Sequence, residues 1–421
     1  MIAKAPPVRV EAPLPRRPLG LFAALRFREF RLLWMGLLIS NLGTWMQFTA
    51  MGYFVTALAP SPQLGSLYLG LLGAARAVPV LICSPIAGVV ADTWPRRRVL
   101  FATNALVSIL ALTLAIFTTV HRINIWGLLA ISGLQAAALA FDAPARQSWV
   151  PILVDREHIG NAIGLNSIAF NAPAVIGPAI AGFLIASVSV AGAFYVNAVA
   201  TLAVVAALFF MRESPPSAMA SEPMLTSVLR GMQFLFEHRI LRWIITTFIV
   251  TALLTRPYSL LLPAYALHYL HTDARGLGWL IAASGAGGFG GAIVTAWLGS
   301  REDRGVLWLL AAALMCLGVA VLGVISSYTV AMFALIVIGL ATLAFLGISN
   351  ILIQTLSPEE VRGRAISVYS MVALGFVPGG ALIVGSIASL IGLHVAFEVA
   401  GGVCLAFVLW LWFARPVIRT V

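Results

Sequence analysis

Long apolar runs separated by short polar segments dominate the hydropathy pattern of this chain. Each run is rich in Leu, Ala, Val and Ile and has about the 20 residues that a helix needs to cross a bilayer. The strands of a transmembrane barrel would instead alternate over segments of about 10 residues. The pattern therefore predicts an all-α polytopic membrane protein with twelve transmembrane helices at 31–58, 65–90, 99–120, 125–145, 163–188, 191–211, 241–264, 276–299, 306–326, 329–355, 365–390 and 393–414.

The composition of the chain supports the same class of protein. Hydrophobic residues make up 61% of the 421 residues and charged residues 10%. Soluble domains are roughly 45–50% apolar and about 25% charged, which excludes a water-soluble enzyme. The cysteines, Cys83, Cys316 and Cys404, all lie in apolar runs, so we interpret them as packing residues rather than as a disulfide or metal set. No metal site and no cofactor are expected.

Basic residues are concentrated between the spans rather than along one face. The chain has 26 basic and 15 acidic residues, a net charge of +11, and 22 of the basic residues fall on one side of the predicted spans. Loops rich in Lys and Arg stay in the cytosol, so we expect both termini to be cytosolic and the protein to be a multi-pass protein of the inner (plasma) membrane. The spacing favours the lipid bilayer as partner and argues against nucleic acid.

The longest polar segment between spans divides six spans from six. The predicted organisation is a cytosolic N-terminal tail (1–30), a six-helix bundle (31–211), a cytosolic linker (212–240), a second six-helix bundle (241–414) and a cytosolic tail (415–421). Glycines recur between the halves at offsets of 203 or 208 residues: Gly177, Gly182 and Gly70 in the first, Gly380, Gly385 and Gly278 in the second. Repeated six-helix units are a transporter design, with the substrate site between them near the midplane.

The loop between spans 2 and 3 carries the most specific motif in the chain. Gly88 is followed by Asp92 and then by Arg96, Arg97 and Arg98 before Leu100. Glycine permits close helix approach, and a carboxylate favours the positive end of a neighbouring helix. This pattern resembles the signature of the major facilitator superfamily. The resemblance implies that Asp92 lies against span 11 and that the arginines form a gate; a plain basic loop is the alternative.

Span 4 carries an acid and a base on one helical stripe, Asp142 and Arg146. We expect Asp142 to be the acidic partner of Arg96 or Arg97, in a gate that breaks and re-forms. A static interfacial ion pair is the alternative.

Span 5 contains Pro173, Gly177, Pro178 and Gly182, which predict a bend or pivot because proline interrupts the helical hydrogen bonds and glycine allows tight packing. The Gly-Pro-x-x-x-Gly run resembles the span-5 motif of exporters in the same superfamily. Ordinary helix kinking is the alternative. The branch that contains the enterobactin exporter and transmembrane secretion effectors is further resembled by the segments 40–47, 141–147, 165–167 and 256–263.

Polar and ionisable residues inside the spans are candidates for a substrate cavity, because such residues are costly in a membrane. The candidates are Asn41, Gln47, Arg76, Asn166, Arg256, Asn350 and Glu398. Arg76 or Arg256 is suited to an anionic or catecholic substrate and Glu398 to a proton. The alternative is that these groups pair with each other or hold helices together.

These features favour a secondary active transporter that works as a monomer and exports a small molecule, such as a siderophore, drug or metabolite, by alternating access. Proton coupling is implied by the family resemblance, and the acids available for it in or near the spans are Asp142, Glu398 and Asp92. An importer or solute sensor of the same fold is the main alternative. A membrane-embedded enzyme is disfavoured because the six His residues are scattered, and no nucleotide-binding motif is present.

Overall fold

The computed structural model describes residue 20 and residues 22–212, 224–298 and 303–420. The first half contains six helices: α1 (Arg28–Leu58), α2 (Pro62–Thr93), α3 (Arg96–Thr119), α4 (Ile125–Trp149), α5 (Ile159–Ser187) and α6 (Val190–Phe210). After α7 (Met224–Glu237), the second half contains α8 (Leu241–Leu254), α9 (Tyr258–Ala264), α10 (Ala274–Leu298), α11 (Arg304–Val324), α12 (Tyr328–Leu356), α13 (Glu359–Ile391) and α14 (Leu393–Ala414).

The described part of the chain has 11 helical segments that are long and apolar enough to cross a membrane. The remaining crossing is α1, which has 31 residues but carries Asn41 and Gln47 in its middle. Both side chains bond to neighbouring helices instead of facing lipid. The predicted architecture of twelve membrane helices in two six-helix bundles is therefore confirmed.

Several helices extend beyond the predicted apolar runs. Helix α13 begins at Glu359 rather than at 365, and α5 begins at Ile159 rather than at 163. The added turns are polar or mixed, so hydropathy alone places the boundary where the apolar residues begin. Hydrogen bonding continues the helix past that point.

The seventh span is a broken helix. It consists of α8, α9 and a π-helical turn at Tyr265–Tyr269, so it runs past the predicted end at residue 264. The break between α8 and α9 contains Arg256 and Pro257. Pro257 has no N–H for the helical hydrogen-bond ladder, which accounts for the interruption.

The segment between the bundles contains a helix that runs along the end of the second bundle. Residues 213–223 of the predicted linker lie outside the described ranges, and α7 follows directly. Helix α7 packs on α13. At Gly231, a Cβ would lie 2.7 Å from the carbonyl oxygen of Arg364, so the two helices are in close contact there.

Both tails contact the bundles where they are described, although residues 1–19, 21 and 421 lie outside those ranges. The N–H of Ala24 donates to Oδ1 of Asn161 at 2.8 Å, which docks the segment before α1 on the start of α5. After α14, a 3₁₀ turn at Pro416–Ile418 buries the side chain of Ile418.

The two bundles meet along two seams, α2 against α13 and α5 against α10. In the first seam, a Cβ at Gly385 would lie 3.4 Å from Cα of Gly70. In the second, a Cβ at Gly182 would lie 3.1 Å from Cα of Gly278. The offsets found in the sequence relate Gly70 to Gly278 and Gly182 to Gly385, so the seams are pseudo-symmetric copies of one contact.

The seams close only one end of the molecule. We call the end where α7 lies and where α1, α3 and α5 begin the linker end, and the opposite end, where α2 and α10 begin, the far end. Contacts of α2 with α13 continue inward to Leu81 and Gly375, where a glycine Cβ would lie 3.1 Å from the leucine side chain. Nearer the linker end, a Cβ at Gly88 or Gly363 would meet no described atom within 4 Å. The bundles are therefore joined at the far end, and the seam between α2 and α13 is open at Gly88 and Gly363 near the linker end, where α7 contacts both helices.

Candidate functional site

A cavity of about 510 Å³ lies between the two bundles. The side chains and backbone around it come from α1, α5, α9, α10 and α12. They are Trp45, Ser167, Ile168, Asn171, Ala172, Ala174, Val175, Tyr258, Ile281, Ser284, Gly285, Gly288, Phe289, Ala292, Gly339, Thr342 and Leu343. A mostly apolar lining with a few polar groups, contributed by both halves, suits a small organic molecule.

The polar groups of the cavity are hydroxyls and one amide. The hydroxyl of Tyr258 and Oγ of Ser284 lie 2.9 Å apart and share a hydrogen bond between α9 and α10. Thr342 lies on the same cavity wall, and Ser167 and Asn171 lie across from it on α5. Sequence reasoning did not select any of these as cavity residues, because single Ser, Thr and Tyr residues occur throughout membrane helices and give no distinctive spacing.

Arg76 lies on α2 beside the aromatic residues of α1. Its guanidinium carbon is 5.3 Å from the ring centre of Phe48, and Nη1 donates to Oγ of Ser132 at 3.3 Å. Phe48 in turn packs edge-on against Trp45, which lines the cavity. Arg76 therefore lies behind the aromatic wall of the cavity and is held by a cation–π contact and one hydrogen bond.

Arg256 occupies the break between α8 and α9, two residues before the cavity residue Tyr258. Its guanidinium carbon is 5.4 Å from the ring centre of Phe248. Nη1 is buried and has no hydrogen-bond partner among the described residues. Neither Arg256 nor Arg76 forms an ion pair with any acid that the structure describes. A buried cation without a carboxylate is energetically costly, and such residues in membrane spans are candidates for function. Neither arginine is among the residues that line the cavity.

Asn41 has a structural partner. Its Nδ2 donates to the carbonyl oxygen of Ala169 on α5 at 3.0 Å. Ala169 lies four residues before Pro173, so its carbonyl has no N–H to accept from within α5. Asn41 supplies the missing donor from α1, as neighbouring helices do for proline-containing membrane helices.

Gln47 belongs to a buried polar network within the first bundle. Its Nε2 donates to Oε1 of Gln135 on α4 at 2.6 Å, and its Oε1 accepts from Nδ2 of Asn197 on α6 at 2.6 Å. These three side chains are at most 4% exposed. The structure therefore places Gln47 as a link between α1, α4 and α6, away from the residues that line the cavity.

Asp142 pairs with Arg146 one turn along α4. Oδ2 of Asp142 is 3.1 Å from Nε of Arg146, and Oδ1 accepts from Nδ2 of Asn104 on α3 at 2.8 Å. This partner differs from the one expected, Arg96 or Arg97, because the i, i+4 spacing brings Arg146 onto the same face as Asp142. Arg146 continues the chain of contacts to α5, where it donates to Oδ1 of Asn166 at 3.4 Å.

The arginines after Asp92 have separate positions at the linker end. Arg96 is 2% exposed and donates through Nε to Oγ of Ser148 on α4 at 2.9 Å. Arg97 donates to the last carbonyls of α6, at 2.6 Å to Leu208 and 3.0 Å to Phe209. Arg98 is exposed. The side chain of Asp92 lies outside the described part.

The expectation that Asp92 lies against span 11 concerns a side chain outside the described part, and the structure describes only the neighbouring Gly88. A Cβ at Gly88 would meet no described atom within 4 Å, whereas Gly70 and Gly73 contact the backbone of α13 nearer the far end. The separation of the two bundles at the linker end is the physical reason, because a glycine motif in an opened seam has no helix to contact.

The last two candidates lie at opposite ends of the second bundle. Asn350 is half-buried, bonds to Gln354 on its own helix, and lies seven residues from the cavity residue Leu343, on the same stripe of α12. It therefore faces the route from the cavity to the linker end. Glu398 lies on α14 against Gly323 of α11, outside the set of cavity-lining residues.

The proline–glycine motif of α5 divides between two neighbours. Gly177 faces α1, where a Cβ would lie 2.8 Å from Cβ of Trp45. The carbonyl of Pro178 and the backbone of Gly182 contact α10, where a Cβ at Gly278 would lie 2.7 Å from that carbonyl oxygen. Helix α5 stays continuous across Pro173 and Pro178, so the motif joins α1, α5 and α10 at the far seam.

Comparison with known proteins supports this architecture. The chain is 29% identical to an uncharacterized MFS-type transporter, YfiS, of Bacillus subtilis, over 93% of this chain and 92% of that protein. It is 25% identical to the multidrug efflux pump Tap of Mycolicibacterium fortuitum, over 79% and 83% of the two chains. A bacterial homolog of the human lysosomal transporter Spinster, solved in an inward-facing and unoccupied conformation, superposes with a TM-score of 0.71 at 16% identity, covering 93% of this chain and 96% of that one.

The family description that matches the sequence is transmembrane secretion effector, over residues 19–419. That match takes in both bundles, the two seams and the cavity between them. The relatives and structural neighbours are membrane transporters rather than enzymes. The chain thus belongs to the transmembrane secretion effector family of major facilitator transporters.

Proposed function

We propose that this protein is a secondary active exporter that moves a small organic molecule out of the cytosol by alternating access. The observation that carries the proposal is the cavity between the bundles, which lies in a molecule closed at the far seams and separated at the linker end. Rocking of the bundles about the cavity would close the linker end and open the far end. The similarity to the efflux pump Tap supports export as the direction.

The linker end faces the cytosol in this proposal, with both termini on the same side of the inner membrane. The excess of basic residues at that end supports this orientation. The structure described above then corresponds to the state that loads substrate from the cytosol.

The substrate class follows from the lining of the cavity. Apolar side chains dominate it, with Tyr258 and Thr342 among its few hydrogen-bonding groups. The unpartnered guanidinium nitrogen of Arg256 lies two residues from Tyr258. A substrate with an apolar body and one anionic group would pack its body against the apolar side chains of the cavity and pair its anionic group with Arg256.

Proton coupling is the proposed source of energy, with Asp142 as the carrier. Asp142 is buried, and its carboxylate bonds to Arg146 on the same helix and to Asn104 on α3. Protonation of Asp142 would break its ion pair with Arg146. Arg146 would then keep its hydrogen bond to Asn166 on α5, which is next to the cavity residue Ser167. A change of charge on α4 would thus be transmitted to the helix that forms the second seam.

Everted membrane vesicles test the direction and the coupling. We expect vesicles from expressing cells to accumulate fluorescein, an anionic xanthene dye, when a pH gradient is imposed, and right-side-out vesicles not to do so. Collapsing the gradient with an ionophore should abolish accumulation. Uptake by right-side-out vesicles alone would identify an importer, and transport unaffected by the ionophore would reject proton coupling.

Substitution of Arg256 tests the substrate class in the same vesicles. The Arg256→Gln variant should lose accumulation of fluorescein and retain accumulation of rhodamine 6G, a cationic dye with the same ring system. Arg122→Gln, which removes a cation from the short α3–α4 connection, is the matched control. Equal loss of both dyes would show that Arg256 is structural, while export by the unaltered protein would still stand.

A further inference from the structure

We propose that the linker end of α8 and α14 forms a binding site for the phosphate headgroup of an anionic phospholipid. The site, called here the Arg–Trp cluster, consists of Arg242, Trp243, Trp410 and Arg415. It is separate from the transport cavity and independent of the proposed direction of transport.

Two arginines converge on one indole ring in this cluster. The guanidinium carbon of Arg415 lies 4.9 Å from the ring centre of Trp243, and that of Arg242 lies 5.5 Å from the same ring. Arg415 also lies 5.9 Å from Trp410, which meets Trp243 edge-on at 5.6 Å between ring centres. Two cations therefore lie within 5.5 Å of the same indole ring at the contact between α8 and α14.

The positive charge of the cluster is not neutralised within the described part of the chain. Neither Arg242 nor Arg415 forms an ion pair with a described acid, and the same holds for the nearby Arg239 and Arg419. The acid closest in sequence, Glu237, accepts a hydrogen bond from Gln233 at 2.8 Å. An anion that contacts both guanidinium groups would therefore be stabilised by two charges that no described acid neutralises.

The depth of the cluster points to a lipid as the source of that anion. Arg242 is the second residue of the span that begins at Leu241, and Arg415 directly follows the span that ends at Ala414. Tryptophan and arginine at this level lie among lipid headgroups. Trp410, which lies beside Arg415, is 46% exposed, and Phe413 in the last turn of the same helix is 77% exposed, which provides apolar surface for acyl chains.

The consequence is a lipid-mediated connection between the first and last helices of the second bundle. Helices α8 and α14 would each supply one arginine to the same headgroup. Since α8 follows the linker directly, the bound lipid would also fix the end of that bundle at the membrane surface. Basic pockets between membrane helices on the cytosolic side bind phosphate headgroups in this way.

Native mass spectrometry of the full-length protein released from detergent tests the proposal. Cardiolipin, phosphatidylglycerol and phosphatidylcholine are added separately, and the bound fraction is measured for each. We expect both anionic lipids to bind in preference to phosphatidylcholine. In a thermal unfolding measurement on the same protein, they should also raise its melting temperature. Apparent affinity for cardiolipin should fall about fivefold in Arg242→Gln or Arg415→Gln and about thirtyfold in the double variant.

Two controls make the outcome decisive. Arg275→Gln removes an arginine that lies 5.5 Å from Phe183 at the far end, and it should leave cardiolipin binding unchanged. Inorganic phosphate without lipid should not raise the melting temperature. The proposal is overturned if phosphate protects as well as lipid, if Arg275→Gln weakens binding as much as Arg242→Gln, or if phosphatidylcholine binds equally well. The proposal is also overturned if the double variant has a lower melting temperature in neutral detergent but binds cardiolipin as well as the unaltered protein does.

Discussion

The far end and the linker end of this molecule both have glycines on helices that border the two bundles. Only the glycines at the far end are in contact with a helix of the other bundle. At the far end, Gly70 meets the backbone of α13 and Gly182 meets that of α10, so closely that a methyl group would overlap backbone atoms. At the linker end, Gly88 on α2 and Gly164 on α5 have open space around them. Glycines at the far end therefore allow close packing of helices, whereas those at the linker end have no helix packed against them in this structure.

The difference shows which glycine contacts define the observed conformation. The glycines without contacts are available for a conformation in which the linker end is closed. Membrane helices gain little from the hydrophobic effect between themselves, so close packing of small residues carries much of their association. Since that packing is present only at the far seams, the far end is closed here. Unused glycines at the other end are the positions where packing would be gained on switching.

The largest effect is expected where a seam is already tight. Gly182→Ala places a methyl group against the carbonyl of Ala274. Overpacking of this kind costs about 1–3 kcal/mol, so we expect a lower melting temperature and loss of transport. Gly164→Ala on the same helix is the control, and it should melt at the same or a higher temperature because alanine favours helix. Equal melting of the two variants would contradict the assignment of the far seam.

Filling the open seam should separate transport from stability. Gly88→Leu adds a side chain where this structure has space, so the melting temperature should change little. Transport should fall by about tenfold or more, because closing the linker end would then require α13 to meet the leucine; this corresponds to about 1.4 kcal/mol or more against the closed state. Vesicle transport assays and melting curves on the same preparation check both parts. Normal transport would show that α2 and α13 never close at Gly88.

A smaller effect is expected where Asn41 supports the proline-containing helix. Asn41→Leu removes the donor to the carbonyl of Ala169 and should destabilise the protein by about 1 kcal/mol. Asn171→Leu, which removes a bond from Nδ2 to the carbonyl of Ser167 on the same helix, is the control because the Ser167 carbonyl keeps its helical partner. Melting in detergent compares the two, and a larger loss for Asn171→Leu would contradict the role of Asn41.

The smallest effect is expected at the end of α6. Arg97→Gln removes a cation from the last carbonyls of that helix, which should cost about 0.3–1 kcal/mol at low ionic strength. Salt screens such interactions, so the difference from the unaltered protein should shrink as salt is added. A difference that is the same at low and high salt would indicate that the loss is one of packing rather than charge.

Much of the fold follows from hydropathy, but the roles of polar residues do not. The periodicity of apolar runs predicted twelve helices because each span must satisfy its own backbone. The same reasoning could not separate Gln47 from Arg256, since both are polar residues within a span. The first proves to be satisfied by Gln135 and Asn197 inside one bundle, whereas the second keeps a buried nitrogen without a described partner.

The sequence also did not predict which side chains pair between helices. The expectation that Asp142 meets Arg96 or Arg97 relied on charge and position, and Arg146 is the partner instead. Charges at four-residue spacing on one helix meet without any cost of bringing helices together, and that local contact takes precedence here. The cavity residues Tyr258 and Ser284 were missed for the converse reason, because they come together only when α9 and α10 pack.

By itself, the sequence determined that the chain crosses the membrane twelve times in two related halves, because each apolar span must bury its own polar backbone. It also determined which residue types break or tighten helices, such as Pro173 and Gly182. Only the tertiary structure decided which of those glycines are in contact, which polar groups are satisfied and where the cavity opens. These depend on distances between helices far apart in the chain, which no local pattern specifies.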